Sequence, residues 1–251
     1  MRRPPRPPSV RPLVIAHRGA KMHLPEHTMA SMQRAVDDGA DGLECDARLT
    51  RDRQVVCHHD SDLDRTSDAT GPVHRLSLAE LGEVDFGTGP GVLTLRELVA
   101  FCRDRPQPLG LLVETKHPSR FVWQVERAVV AELVHGLGPY LEGLPLVAGM
   151  SFSPVAVRRF AALAPRLQRV RLRSNRAPLP QLSTSHASGL DIKLVRADPT
   201  VVRDCHERGQ LTYVWTVNKP DDMALCVDLG VDGIITDDPG AARRVVDEGR
   251  S

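Results

Sequence analysis

Eight side chains in this sequence of 251 residues stand at or just beyond the ends of short apolar runs, and together they could perform acid–base chemistry on an anion. The run at 13–16 leads into His17 and Arg18, and the next run contains Glu44 and Asp46. Two histidines can serve as general acid and general base near neutral pH. Carboxylates form an all-oxygen set that suits Mg²⁺ or Ca²⁺ better than zinc, and an arginine with a lysine can hold a phosphate. The remaining candidates are His59, Glu114, Lys116 and Trp215.

These side chains can meet only if the apolar runs are neighbouring strands whose carboxyl ends share one rim. Side chains alternate along a strand, so Glu44 and Asp46 share one face while Leu43 and Cys45 share the other. We predict eight strands alternating with helices, a pattern that fits an α/β protein with the TIM (β/α)8 barrel fold. A doubly wound open sheet is disfavoured because no GxGxxG motif follows the first strand. The predicted strands are 13–16, 42–46, 111–116, 146–152, 167–172, 189–194, 211–217 and 231–236.

Helical spacing and proline at likely first-turn positions predict the intervening helices. They cover 26–38, 94–105, 155–164, 199–208, 220–229 and 239–248, and the polar stretch 174–188 is predicted to be an irregular connection with at most a short helix.

One stretch, about 60–91, is rich in Asp, Thr, Gly and Ser and is too long for an ordinary connection, so we predict a small insertion after the second strand. We therefore predict that the chain consists of a disordered Pro/Arg-rich tail at 1–12 and a single barrel domain at 13–251.

Composition excludes several classes of partner. The sequence holds 33 basic and 32 acidic residues with no basic run beyond the tail, so nothing supports binding to nucleic acid or a membrane surface. A small soluble molecule is the expected partner, and the oligomeric state stays open. Five cysteines without CxxC spacing argue against a disulfide framework or a zinc site. The tail lacks the apolar stretch of a signal peptide, and no run reaches the roughly 18 apolar residues of a membrane span, so we predict a cytoplasmic protein.

Eight short stretches form an ordered series from about residue 13 to residue 245. They are AHRG (16–19), PEHT (25–28), GLECDARLT (42–50), VVCHHDSDLDRTSD (55–68), LTLRELV (93–99), VETK (113–116), VWTVN (214–218) and GVDGIITDDP (230–239). Any one of them alone is a weak signal. The ordered series resembles the glycerophosphodiester phosphodiesterase family over nearly the whole chain.

The resemblance implies a metal-dependent TIM-barrel hydrolase that splits a glycerophosphodiester into sn-glycerol 3-phosphate and an alcohol. It also implies a divalent cation, Mg²⁺ or Ca²⁺ with Mn²⁺ as a further option, and an insertion that recognises glycerol. Which histidine acts as the base stays open, as does the choice between a cyclic phosphate and direct attack by water. By similarity, the residues that match the family's roles are Glu44, Asp46 and Glu114 as metal ligands, His17 and His59 as the acid–base pair, and Arg18 and Lys116 as phosphate contacts.

The chain departs from the family pattern at one position. The family has Glu-Asn-Thr where this sequence has Glu26, His27 and Thr28. We expect Glu26 to lie at or behind the metal shell, and the role of His27 stays open. Trp215 and Phe152 could each form a substrate-facing wall or fill the barrel core.

Three other functions remain as alternatives. A lysophospholipase D-like enzyme on the same barrel would need an apolar surface for an acyl chain over the barrel mouth. A non-catalytic barrel that binds a phosphorylated ligand would be expected to lack one of the histidines or carboxylates, and this chain has all of them. A metal-dependent isomerase or aldolase would leave the histidine pair and the LDRT stretch unexplained.

Overall fold

Eight parallel strands close into a barrel in a computed structural model, which describes residues 11–138, 146–174 and 185–249. With one short extra strand, β3, the strands in chain order are β1 (Leu13–His17), β2 (Gly42–Leu49), β3 (Val55–Cys57), β4 (Gly110–Thr115), β5 (Val147–Ser151), β6 (Gln168–Arg173), β7 (Ala187–Asp191), β8 (Leu211–Trp215) and β9 (Gly233–Thr236). The barrel closes because β1 pairs in parallel with β2 on one side and with β9 on the other. β3 pairs antiparallel with the end of β2. The TIM barrel fold predicted from the sequence is therefore confirmed.

Helices cover the outside of the barrel, and several begin at a side chain that accepts a free backbone N–H group. Thr28 accepts from Ser31, and Thr94 forms a capping box with Glu97. The described helices are α1 (Met29–Asp37), α2 (Leu78–Leu81), α3 (Leu95–Arg103), α4 (Gln124–Leu137), α5 (Pro154–Leu163), α6 (Ile192–Ala197), α7 (Thr200–Glu207), α8 (Pro220–Asp228) and α9 (Pro239–Glu248).

Alternation along the strands separates two apolar layers. One set of side chains fills the barrel interior, among them Ile15, Leu112, Tyr213 and Ile235. The residues between them point outward and pack under the helices, as Leu43 and Cys45 do on β2. Two residues beyond each interior apolar side chain, the same face reaches the carboxyl end of the barrel.

The predicted strand at 189–194 is wrong at both ends. β7 covers Ala187–Asp191, and residues 192–194 belong to α6. The strand stops there because the Asp191 side chain accepts the Lys193 N–H and caps the new helix. The sequence prediction also missed α4, although its buried apolar residues recur at helical spacing. Residues 1–10 of the predicted tail and residues 175–184 of the predicted irregular connection lie outside the described residues.

The inserted segment between β3 and α3 has a small apolar core of its own. Leu63, Leu81 and Phe86 pack in it against Val56 of β3. The segment includes α2 and a short 3-10 helix, Val73–Arg75. Because β3 is paired with β2, this core is anchored beside the strand that carries Glu44 and Asp46.

All five cysteines are buried free thiols. Within the parts of the chain that the structure describes, every helix is too short or too polar to cross a bilayer.

Candidate active site

Polar residues replace apolar ones where the interior faces of several strands reach the carboxyl end of the barrel. His17 follows Ile15 on β1, and Glu114 follows Leu112 on β4. Trp215 stands in the same way at the end of β8. The register brings these ends together, because His17 is paired with Glu44 and Asp46 with Glu114 across adjacent strands.

Three carboxylates form a buried cluster at this rim. Glu44, Asp46 and Glu114 each offer an oxygen, and these oxygens all lie within 4.8 Å of one another. Burial and the adjacent Asp46 raise the pKa of Glu44 well above its usual range and that of Glu114 to about 7. Such mutual crowding is costly unless a cation is present to hold the charges.

Two cationic side chains balance part of the negative charge of this cluster. Arg18 Nε lies 2.8 Å from an Asp46 oxygen, and Lys116 Nζ lies 2.8 Å from both Asp46 and Glu114. Burial opposes the ionisation of Asp46, but Lys116 and Arg18 outweigh it and hold the pKa of Asp46 well below its usual range. Glu44 keeps a buried oxygen without a hydrogen-bond partner. The donor set and this unpartnered oxygen fit a hard divalent cation held by the three carboxylates.

The turn after β1 explains why glycine follows the His-Arg pair. Arg18 adopts a φ of +60°, and Gly19 adopts a φ of +90°. A Cβ atom at Gly19 would lie 2.4 Å from the Ser31 hydroxyl oxygen of α1, closer than atoms can approach. The sharp turn lets the Arg18 N–H donate to the Glu44 carbonyl and its side chain reach the carboxylates.

His17 is held by a carboxylate from the far end of the chain. Its Nδ1 lies 2.6 Å from Asp237, which follows β9 directly. Asn218 fixes that carboxylate, since its amide nitrogen donates to Asp237 at 2.8 Å and its oxygen accepts the Asp237 N–H. Burial lowers the pKa of His17, and the hydrogen bond to Asp237 offsets part of the effect.

His59 is held by its neighbour in the sequence. Its Nδ1 lies 2.6 Å from Asp60, and the carboxylate of Asp60 accepts at 2.6 Å from Arg65 Nε. The backbone is fixed as well, because the Arg48 guanidinium donates twice to the His59 carbonyl. Burial lowers the pKa of His59, although about a third of the side chain is exposed.

Glu26 lies behind Arg18 and outside the acidic cluster. One of its oxygens accepts from Arg18 at 3.2 Å, and both accept from Arg65. His27 lies nearer to the carboxylates: its Nε2 accepts the Asp46 N–H at 3.1 Å. Burial lowers the pKa of His27 to about 3, so the imidazole is neutral. In this chain His27 therefore fixes the backbone of a candidate metal ligand.

A cavity of about 120 Å³ joins these groups. His17, His59, Glu44 and Glu114 reach it from the polar side. Trp215 packs edge-to-face on Phe152 with 5.3 Å between ring centres. Both rings therefore form a wall of the cavity, and Trp215 also packs against the apolar core of the barrel, whereas Phe152 is 42% exposed. The remaining apolar lining consists of Met150, Leu172 and Ile235.

Sequence reasoning assigned no role to Asp237, Asn218, Asp60 or Arg65. All four lie inside stretches that carry the family resemblance, 230–239, 214–218 and 55–68. That signal could have singled them out, but their partners became visible only in the folded barrel.

The fold and the site define an enzyme with the TIM barrel fold, in which a candidate metal-binding carboxylate cluster and a pair of histidines surround one cavity. The glycerophosphoryl diester phosphodiesterase family model matches residues 17–241. The Mycobacterium tuberculosis protein named "Probable glycerophosphodiester phosphodiesterase 1" is 36% identical over 96% of this chain and 94% of its own length. The glycerophosphodiester phosphodiesterase of Caldanaerobacter subterraneus subsp. tengcongensis is 31% identical over 94% of this chain and 98% of its own.

Solved structures agree with this relationship. An Oleispira antarctica phosphodiesterase, solved in complex with the product sn-glycerol-3-phosphate, superposes with a TM-score of 0.81 at 26% identity, over 94% of this chain and 97% of its own. The chain described here belongs to the glycerophosphoryl diester phosphodiesterase family.

Proposed function

We propose that this protein is a divalent-cation-dependent hydrolase that converts glycerophosphodiesters into sn-glycerol 3-phosphate and an alcohol. The observation that carries the proposal is the placement of three buried carboxylates within 4.8 Å of one another, at a cavity that both carboxylate-held histidines also reach. The product complex of the Oleispira antarctica relative supports the choice of substrate.

Charge at the site supports a cation and an anionic substrate together. When all three are ionised, as around a bound cation, the carboxylates outweigh Arg18 and Lys116 by one negative charge. A divalent cation would change this excess to one positive charge, which the single negative charge of a phosphodiester would neutralise. When bound, such a cation polarises a phosphoryl oxygen and lowers the pKa of a coordinated hydroxyl group. The residues that would hold it are Glu44, Asp46 and Glu114.

The histidines are arranged to move two protons. Each Nδ1 is hydrogen-bonded to an aspartate, so each Nε2 is the ring atom left to exchange a proton in the cavity. One histidine accepts the proton of the attacking oxygen as its bond to phosphorus forms. The other donates a proton to the alcohol oxygen as its bond to phosphorus breaks. Arg18 and Lys116, poised beside the carboxylates, would hold the phosphate oxygens.

The cavity suits a small polyol. At about 120 Å³ it can enclose a glycerol moiety between Trp215, Phe152 and the histidines, but not a whole lipid. We infer that the glycerol phosphate half of the substrate binds here and that the variable alcohol extends outward.

The test is to measure release of sn-glycerol 3-phosphate from glycerophosphocholine and glycerophosphoethanolamine by the purified protein. EDTA should abolish release, and Mg²⁺, Ca²⁺ or Mn²⁺ should restore it. H17A and E44A should be inactive under every condition. Their matched controls are H135A and E248A, which alter exposed residues near the ends of the outer helices α4 and α9.

Two results would contradict the proposal. Full release of sn-glycerol 3-phosphate in the presence of EDTA would show that the reaction needs no cation. A folded protein that binds metal but releases nothing with any ion would indicate the non-catalytic barrel, or the lysophospholipase D-like alternative if lysophospholipids are cleaved.

A further inference from the structure

Arg65 belongs to the LDRTSD stretch of the insertion, and the proposed chemistry gives it no role. Its guanidinium contacts two separate carboxylates. Nε donates to Asp60 at 2.6 Å, Nη2 donates to one Glu26 oxygen at 2.6 Å, and Nη1 donates to the other Glu26 oxygen at 3.1 Å. All three nitrogens are therefore used, in a geometry that a planar guanidinium can provide and an ammonium group cannot.

The first carboxylate, Asp60, connects Arg65 to a candidate catalytic group. One Asp60 oxygen faces Arg65, and the other lies 2.6 Å from His59 Nδ1. Burial opposes ionisation of Asp60, but its hydrogen bonds with Arg65 and His59 lower its pKa to about 2. Asp60 is thus a permanent acceptor that keeps the His59 proton on Nδ1, with Arg65 fixing its orientation.

The second carboxylate, Glu26, connects the insertion to the barrel rim. Its side chain is only 6% exposed and also accepts from Arg18 at 3.2 Å. Burial opposes ionisation of Glu26, but the hydrogen bonds from Arg65 and the charge of Arg18 lower its pKa to about 2. Lys21 Nζ lies 3.8 Å from a carboxylate oxygen of Glu26 and 3.6 Å from one of Asp237. A series of alternating charges therefore runs between the two histidines: His59, Asp60, Arg65, Glu26, Lys21, Asp237 and His17.

We propose that Arg65 is a positioning residue for His59, which it holds through Asp60 while it clamps the insertion to Glu26 of the barrel rim. This inference rests on the proposed function, because it takes His59 to be a proton-transfer group. Asp237 has Asn218 and the end of β9 to fix it, whereas Asp60 lies on a loop and is 31% exposed. Arg65 supplies the missing rigidity.

The contacts of Arg65 favour orientation over stability. The side chain is 49% exposed, its partner Asp60 is 31% exposed, and the buried Glu26 keeps Arg18 as a second partner, so loss of these ion pairs should cost little free energy of folding. Loss of Arg65 should therefore leave the melting temperature almost unchanged while it frees the Asp60 carboxylate to rotate away from His59.

The test uses nitrogen-15-labelled protein, with wild type, R65Q and R65K compared to R51A as the control. Arg51 is an exposed arginine that forms an ion pair with Glu80 in the same insertion. In the wild type, the Nδ1–H protons of His59 and His17 should give downfield, slowly exchanging resonances, assigned by their loss in H59Q and H17Q. R65Q should lose the His59 resonance and keep that of His17, while R51A keeps both.

Kinetics give the second readout. R65Q should lower kcat about three- to tenfold, the scale expected when a catalytic group is partly misplaced and no more than loss of the Asp60 carboxylate itself, with KM and metal affinity unchanged. R65K should recover part of the loss, since one ammonium group can hold only one of the two carboxylates well.

The two readouts separate the possible failures. A wild type that shows the His59 resonance but no release of glycerol phosphate overturns the proposed function and leaves the positioning of His59 supported. Persistence of the His59 resonance in R65Q with kcat within twofold of wild type would overturn the role of Arg65. A raised KM with unchanged kcat would overturn it too, because Arg65 would then bind substrate. Loss of both histidine resonances with a lower melting temperature would show a structural role only.

Discussion

The two histidines of the site have the same partner type but are built in opposite ways. His17 stands at the end of a barrel strand, is 14% exposed, and takes its aspartate from 220 positions away. His59 stands on the loop after β3, is 34% exposed, and takes its aspartate from the next position. The barrel thus holds one imidazole by closure of the sheet, and the insertion holds the other by a local motif.

This difference shows two ways of orienting a side chain. Strand ends are rigid because every strand is bonded on both sides, so Asp237 needs only Asn218 to complete its position. A loop has no such support, and Asp60 instead receives a charged clamp from Arg65. Substitutions around His17 in the barrel should therefore lower kcat more than equivalent substitutions around His59 in the insertion.

The largest effect is expected from removing either imidazole. H17Q and H59Q should each lose about 10²–10⁴-fold in kcat, the range for a general acid or base. A glycerol phosphodiester of p-nitrophenol distinguishes the roles, because p-nitrophenolate leaves without a proton. Activity on that substrate should return in the variant that lacks the acid and stay low in the variant that lacks the base.

The control for this experiment is H135Q, which changes an exposed histidine of α4. Recovery of both variants, or of neither, on the activated substrate would contradict a division into one acid and one base.

The aspartates should show the asymmetry between barrel and insertion. D237N should lower kcat about 10²-fold, because His17 is only 14% exposed and water can replace its partner less readily. D60N should cost about tenfold, since water can reach the more exposed His59. Steady-state kinetics at saturating substrate and metal measure both. An effect of D60N as large as that of D237N would show that exposure does not set the difference.

A smaller loss is expected one step further from the imidazole. N218A removes the amide that donates to Asp237 at 2.8 Å. Loss of one such hydrogen bond corresponds to about 1 kcal/mol, or about fivefold in kcat. If N218A lowers kcat as much as D237N does, the amide and not the carboxylate determines the orientation of His17.

The residues of the candidate site could be predicted from the sequence, but most of the contacts that hold them could not. Local alternation placed Glu44 and Asp46 on one face, and short motifs marked His17, His59, Glu114 and Lys116. All of these reach one rim in the structure. Asp237 could not be paired with His17 from spacing, because only closure of the barrel joins β9 to β1.

The errors in the predicted elements have the same local origin. β7 ends at Asp191 because a side chain caps a helix there, and no apolar pattern reports that. α4 is absent from the predicted elements although Val125, Val129 and Leu133 recur every four residues, a spacing typical of a helix. The assignment of 13–251 to one domain and the cytoplasmic location stay predictions.

The smallest expected effect concerns the stability of the insertion and its dependence on pH. His58 is buried, donates through Nε2 to the Asp62 carbonyl oxygen, and packs edge-on against Phe86. Burial lowers its pKa below the usual 6.5. The unfolded chain therefore binds more protons than the folded chain just below pH 6.5, so the free energy of unfolding falls as the pH decreases there. One such group contributes a slope of at most about 1.4 kcal/mol per pH unit.

Urea unfolding at pH 7.5 and 5.5 checks this effect. H58Q should lose less stability than the wild type between these two pH values, and H135Q should behave like the wild type. Equal losses in H58Q and wild type would mean that His58 is not the group that titrates.

The two histidines, one held by the barrel and one by the insertion, are proposed to act in the same reaction at one cavity. The most direct measurement is a double-mutant cycle of H17Q, H59Q and the H17Q/H59Q double variant, with kcat for sn-glycerol 3-phosphate release at saturating metal. Groups that work as one catalytic unit are strongly non-additive, so the double variant should lose little more than the weaker single variant. Losses that multiply, or a single variant with wild-type kcat, would contradict the account.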